Sequence, residues 1–144
     1  MFFRQPKTAP VPDPRYSFET AFAEVAFYRL LFRAGTSAAL GPLTVELSSF
    51  NFTPAKLTMQ QGRSYRLHLS NTSSGGHNFV AKEFFAASNV VPEDRGKVVG
   101  GKVDVSGGQS VEIRLVPNTI GSYKLRCSHF MHSAFGMTGV IVVQ

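Results

Sequence analysis

From Pro42 onward the chain alternates apolar and polar residues in short runs, and this period of two restricts its fold more than any other feature. Leu43, Val45 and Leu47 alternate with Thr44, Glu46 and Ser48, and Phe50 and Phe52 are read as extending the same strand. Tyr65, Leu67 and Leu69 against Arg66, His68 and Ser70 give a second strand, and Val103 with Val105 a third. Val111, Ile113 and Leu115 give a fourth, Tyr123, Leu125 and Cys127 a fifth, and Val140 to Val143 the last. Turn-forming stretches separate them: Gln61-Gly62, Ser73-Ser74-Gly75-Gly76, Gly107-Gly108 and Pro117-Asn118. Short strands at this spacing predict an all-β sandwich or barrel. Ala81 to Gly101 breaks the pattern and predicts two short helical turns, the second opening at Pro92, a residue suited to a first helical turn.

Residues 1–41 differ. Pro6, Pro10, Pro12 and Pro14 lead into Phe18 to Arg33, a stretch of helix formers whose charges at Glu19, Glu24, Arg29 and Arg33 scatter around the helical wheel. The segment is read as an N-terminal extension, helical or disordered, or as a degenerate export leader whose apolar run is broken by charges. Residues 42–144 are read as one domain, long enough to bury a core without cross-links. The +6 formal charge falls as +2 on the extension and +4 on the domain, with no basic run longer than two residues, so no nucleic-acid stripe is expected. Ala21 to Leu31 is too short and too charged to span a bilayer, so no integral membrane segment is expected.

One loop carries the chemistry. Cys127-Ser128-His129-Phe130-Met131-His132-Ser133-Ala134-Phe135-Gly136-Met137 holds a thiol, two imidazoles and a thioether between two strands. A loop lets such donors converge, whereas a strand sends alternate residues to opposite faces. Thiolate and thioether are soft ligands that select copper, and two histidines with a cysteine and a weak axial methionine form an electron-transfer copper set. With one cysteine in the chain, Cys127 cannot form an intramolecular disulfide. A second imidazole from outside the loop must be His68 or His77. His68 lies on the polar side of its strand and reads as a surface residue, while His77 follows Gly75-Gly76 at the end of a strand, where it can face a neighbouring loop.

Phe50-Asn51-Phe52-Thr53-Pro54, Gly76-His77-Asn78-Phe79, Gly121-Ser122-Tyr123-Lys124-Leu125-Arg126-Cys127 and Gly136-Met137-Thr138-Gly139 together resemble cupredoxins of the plastocyanin and azurin type. The resemblance covers roughly residues 43–144. It implies a Greek-key β-sandwich and one type 1 copper ion, Cu(I)/Cu(II), with ligands at His77, Cys127, His132 and Met137. His129, one residue beyond Ser128, lies outside the family's spacing. Asn78 and Ser128 match family positions that hydrogen-bond and hold the two ligand segments together. Phe130, Met131 and Phe135 are read either as an apolar rim around the loop histidine or as core packing.

One-electron transfer without catalysis is the function this implies, with a cytochrome or oxidase as redox partner, a monomeric state and a periplasmic or otherwise exported location. Copper storage, sequestration or delivery by the same ligands, with His129 and Met131 as a relay, is the alternative. An enzyme is not expected, because a closed four-ligand site leaves no position for substrate and the chain shows no paired carboxylates or oxyanion loop.

Overall fold

A computed structural model describes residues 41–129 and 135–144. The helix expected over Phe18 to Arg33, and the loop residues Phe130, Met131 and His132, lie outside the described residues. Among the described residues, ten strands make two five-stranded sheets. In order, the strands are β1 (Gly41–Ser48), β2 (Asn51–Thr53), β3 (Lys56–Met59), β4 (Tyr65–Asn71), β5 (His77–Val80), β6 (Ser88–Val90), β7 (Lys102–Val105), β8 (Ser110–Pro117), β9 (Gly121–Arg126) and β10 (Thr138–Val143). The first sheet runs β2-β1-β4-β8-β6 and the second β3-β10-β9-β5-β7. Neighbours within a sheet are mostly not consecutive in sequence, the crossing pattern of a Greek-key sandwich.

The alternation expected from the sequence sets which side chains enter the core. Leu67 and Leu69 on β4, Ile113 and Leu115 on β8, and Val45 and Leu47 on β1 point inward from the first sheet. Leu57, Phe79, Val103, Leu125 and Ile141 meet them from the second. Each such side chain, fully buried, stabilises the fold by about 1.5–3 kcal/mol. Phe79 sits at the centre, its ring edge-on to Phe52 at 5.9 Å and to Phe85 at 6.1 Å. Phe84 continues the chain of rings, 5.5 Å from Phe85 and 5.8 Å from Tyr123. These separations lie in the range where edge-to-face aromatic pairs attract.

The first strand is not continuous to Phe52. It stops at Ser48, and β2 folds back antiparallel with Ser48 opposite Asn51. The register broke in the sequence itself, since Leu47 and Phe50 are three residues apart rather than two. Phe50 occupies the turn with φ of 64°, a tight hairpin conformation. The irregular segment holds a short helix α1 (Lys82–Ala86) and a 3-10 turn (Pro92–Lys97), as expected, but the edge strand β6 lies between them. Ser88 Oγ donates to the Phe84 carbonyl at 2.7 Å, satisfying one carbonyl at the end of α1.

Asp94, in the 3-10 turn, is a buried carboxylate. Its Oδ2 accepts from the Arg114 Nε and backbone N–H, both at 2.9 Å, and its Oδ1 accepts from Lys97 Nζ at 2.8 Å. These bonds fasten the 3-10 turn onto β8. The Arg114 guanidinium beside it holds the Asp94 carboxyl well below the usual carboxylate range, against the opposing push of burial, with Lys97 and the Arg114 N–H adding to the lowering. A group whose pKa is lowered by folding stabilises the native state above its unfolded value, about 3.9 for Asp, and loses that contribution as pH falls toward the folded value. Asp94→Asn is therefore expected to cost about 1.5–3 kcal/mol at neutral pH. In urea titrations from pH 7 down to pH 3, the difference between the parent and Asp94→Asn should shrink below about pH 4.

Candidate metal centre

The two segments that carry His77 and Cys127 reach one end of the sandwich by different routes. Asn71 shapes the first. At the end of β4, buried at 2% exposure, its Nδ2 donates to the Gly75 carbonyl at 2.8 Å and to the Val105 carbonyl at 2.9 Å. Its Oδ1 accepts from the Ser73 N–H at 3.0 Å and the Ser73 hydroxyl at 2.7 Å, an Asx turn that folds residues 71–75 into a fixed loop. Gly107 packs against that loop so closely that a Cβ there would collide with the Ser74 carbonyl oxygen. The chain therefore enters β5 at His77 in a set position. His77 pairs with Val105 of β7, points into the sandwich and is 4% exposed. Nothing in the local sequence marked Asn71 as an organiser; only its place after an alternating strand and before Ser73 and Gly75 hinted at a side-chain-closed turn.

The second route is β9, which ends at Arg126. Cys127 follows at 0% exposure, its backbone N–H donating to the Met137 carbonyl at 3.1 Å. That bond closes the base of the loop and places the buried Met137 next to the start of β10. Gly139 then passes so near the Ala55 carbonyl that any side chain would clash, which lets β10 pair with β3 as well as with β9.

The routes meet at His77 and Cys127, where His77 Nδ1 lies 3.9 Å from Cys127 Sγ. The next residues along each segment lock the pair. Ser128 N–H donates to Asn78 Oδ1 at 2.7 Å, and Asn78 Nδ2 donates to Ser128 Oγ at 2.8 Å. The sequence expectation for Asn78 and Ser128 is thus met by a reciprocal two-bond clasp. Asn78 is 3% exposed, so the clasp is shielded on one side and its loss would leave the buried Asn78 Oδ1 without the N–H it accepts from.

A metal fits this arrangement. Two donors bound to one ion at about 2.0–2.3 Å each can lie no more than about 4.5 Å apart. The 3.9 Å between Nδ1 and Sγ meets that condition. Thiol and imidazole together suit a soft or borderline ion such as copper. Of the remaining expected ligands, Met137 is fully buried in the core cluster, its carbonyl bonded to the Cys127 N–H, while His132 lies outside the described residues.

Two further histidines are placed. His68 faces outward on β4, half-buried, opposite Glu112 of β8 and in the other sheet from His77. His129 is exposed with its ring centroid 6.5 Å from that of His77. Phe135, read as rim or core, is 62% exposed and stands edge-on to Phe50 at 5.4 Å. The alternation reads Phe50 as a strand residue; the hairpin turn that exposes it also carries it to this aromatic pair.

Residues 21–143 match the family described as Cupredoxin-like domain. No curated protein sequence matches. Among solved structures, dithionite-reduced auracyanin from the photosynthetic bacterium Roseiflexus castenholzii superposes with a TM-score of 0.55 at 17% identity, over 74% of this chain and 98% of its own. Auracyanin B gives 0.52 at 17% identity, over 72% of this chain and 88% of its own. Auracyanin A, described as a blue copper protein from Chloroflexus aurantiacus, gives 0.50 at 18% identity, over 72% of this chain and 100% of its own. At these identities the structural likeness establishes the fold, and the family match covers most of the chain. The chain belongs to the cupredoxin-like domain family.

Proposed function

We propose that the protein is a one-electron carrier holding a single copper ion of type 1 character through His77 and Cys127, with His132 and Met137 completing the set. The observation that carries this reading is the buried imidazole and thiol 3.9 Å apart, fixed by the Asn78–Ser128 clasp. Bound copper would supply a one-electron couple. The chain's own residues supply the rest. Cys127 offers the soft thiolate in a site from which water is excluded, His77 offers a nitrogen fixed in orientation by β5, and the clasp resists rearrangement. A site that changes shape little between oxidation states suits a carrier.

Phe50 and Phe135 expose an aromatic surface near the Met137 end of the loop, where a redox partner such as a cytochrome or oxidase would approach. A monomer acting in the periplasm or another exported compartment, without catalysis, fits this role. Among the described residues no helix is long and apolar enough to cross a membrane.

A second reading, copper storage or delivery, draws on one feature: exposed His129 beside His77 offers an entering or leaving ion a further imidazole. The two readings separate on kinetics. Reduced copper-loaded protein is mixed with an oxidised small cytochrome while copper loss to a competing chelator is followed in parallel. Fast electron transfer with slow copper loss is the carrier's signature; slow transfer with rapid loss that His129→Ala alters is the handler's.

Adding Cu(II) to the apoprotein is expected to give intense visible absorption from thiolate-to-copper charge transfer. Cys127→Ser should fold and lose the band, His77→Ala should shift or weaken it, and His68→Ala should leave it unchanged. A colourless complex in the parent protein would end the type 1 assignment. Asn78→Ala removes the clasp without touching a donor, and a lost partner of this kind weakens metal binding by about 10–100-fold. Competition titration with a chelator measures the change, and an unchanged affinity would show that the clasp does not hold the site.

A further inference from the structure

The charged side chains are divided unevenly between the two outer faces. On the first sheet and its 3-10 turn, three cations meet carboxylates: Arg66 meets Glu112 at 3.4 Å, Lys97 meets Asp94 at 2.8 Å, and Arg114 meets both Asp94 and Glu93, while Arg95 donates to the Val90 carbonyl. The outer face of the second sheet is different. Lys56 and Lys124 lie on either side of Val140 in one cross-strand row, and Val80 lies between Lys102 and Arg126 in another. Lys82 joins them from α1. Of these, Lys102 pairs with Asp104 at 3.1 Å. Among the described residues, Lys56, Lys82, Lys124 and Arg126 reach no carboxylate at ion-pair distance.

Three of these unpaired cations, Lys82, Lys124 and Arg126, line a cleft of about 270 Å³ floored by Val80, with Glu83 on its rim. A concave surface of one dominant sign focuses its field and draws oppositely charged groups toward it. Arg126 is bonded directly to Cys127, so whatever settles in the cleft lies beside the strand end that carries the thiol. We propose that this face is a docking surface for an acidic patch on the protein that exchanges electrons with this chain, an inference that rests on the carrier reading. Glu83 favours a protein over a free phosphate or an anionic lipid surface. A carboxylate on the rim repels a compact polyanion, whereas a protein surface of mixed sign can place a cation against it. The cleft is also concave, which suits protruding Asp and Glu side chains better than a flat bilayer. The surface differs from the Phe50–Phe135 pair in both position and chemistry, and it would act mainly on the rate of encounter.

The test uses the full chain without metal, so it stands apart from the copper assignment. Backbone amide shifts are followed by NMR during titration with a synthetic oligoglutamate peptide, with inorganic phosphate and with phosphatidylglycerol vesicles as parallel probes. Peptide-induced shifts concentrated at Lys82, Lys124 and Arg126 are expected. They should fade as ionic strength rises from about 0.01 to 0.15 M, over which the screening length falls from about 30 to 8 Å. Lys124→Glu with Arg126→Glu should weaken peptide binding about tenfold or more, and Lys82→Glu alone should weaken it less. Arg66→Glu with Arg95→Glu, the same charge change on the first-sheet side, should leave it nearly intact. Shifts spread over both faces, equal losses in the two double variants, or saturation of the cleft by phosphate or vesicles in place of the peptide would each overturn the proposal. Peptide binding that survives while copper-loaded protein stays colourless would condemn the copper reading alone.

Discussion

The clasp between Asn78 and Ser128 is the contact on which the candidate site depends. His77 and Cys127 are 50 residues apart in sequence. They arrive on β5 and just beyond β9, strands that share only the Val80–Arg126 pairing. Sheet hydrogen bonding therefore does little to fix their separation. Two hydrogen bonds between the residues that follow each donor supply what the ladder omits, and because Asn78 is buried they operate where water competes poorly. Asn71 acts one layer further out by closing the loop that delivers His77, and the Cys127–Met137 backbone bond closes the loop that delivers the thiol. Rigidity at this end of the sandwich thus comes from polar groups held by a hydrophobic frame, with the Phe79 ring cluster beneath it.

The same frame partitions electrostatics. Asp94 is buried with its partners and fastens the 3-10 turn, a structural use of charge. Among the described residues, the cations lining the cleft between α1 and β9 reach no carboxylate. Unpaired charge kept on a stable surface is available for recognition. Its position next to Arg126 and Cys127 links the proposed docking face to the proposed metal centre through a single peptide bond.

Much of this was legible before the structure. The alternation of Leu67, Leu69, Ile113, Leu115 and Leu125 with polar neighbours set both the fold class and the core, because a period of two leaves few choices about which face is buried. Donor chemistry in the Cys127 loop and the His77-Asn78 segment pointed to the same end of the sandwich, and the structure brings His77 and Cys127 together. What escaped was governed by backbone geometry and tertiary contact. The β1–β2 hairpin was missed because Phe50 looks like a strand residue, yet its left-handed turn conformation reverses the chain. β3 and β6 are short pieces whose pairing is decided by distant strands rather than by local pattern. Asn71 and Asp94 are common polar residues in the sequence, and only burial among specific partners reveals their roles.

The central claim is that one metal ion binds Cys127 and His77 together. X-ray absorption at the copper edge of the copper-loaded full chain tests it directly. One sulfur scatterer and imidazole nitrogens at about 2.0–2.3 Å, with the sulfur shell lost in Cys127→Ser and the imidazole contribution reduced in His77→Ala, is the expected result. A shell of nitrogen and oxygen alone in the parent protein, or one that neither substitution changes, would contradict it.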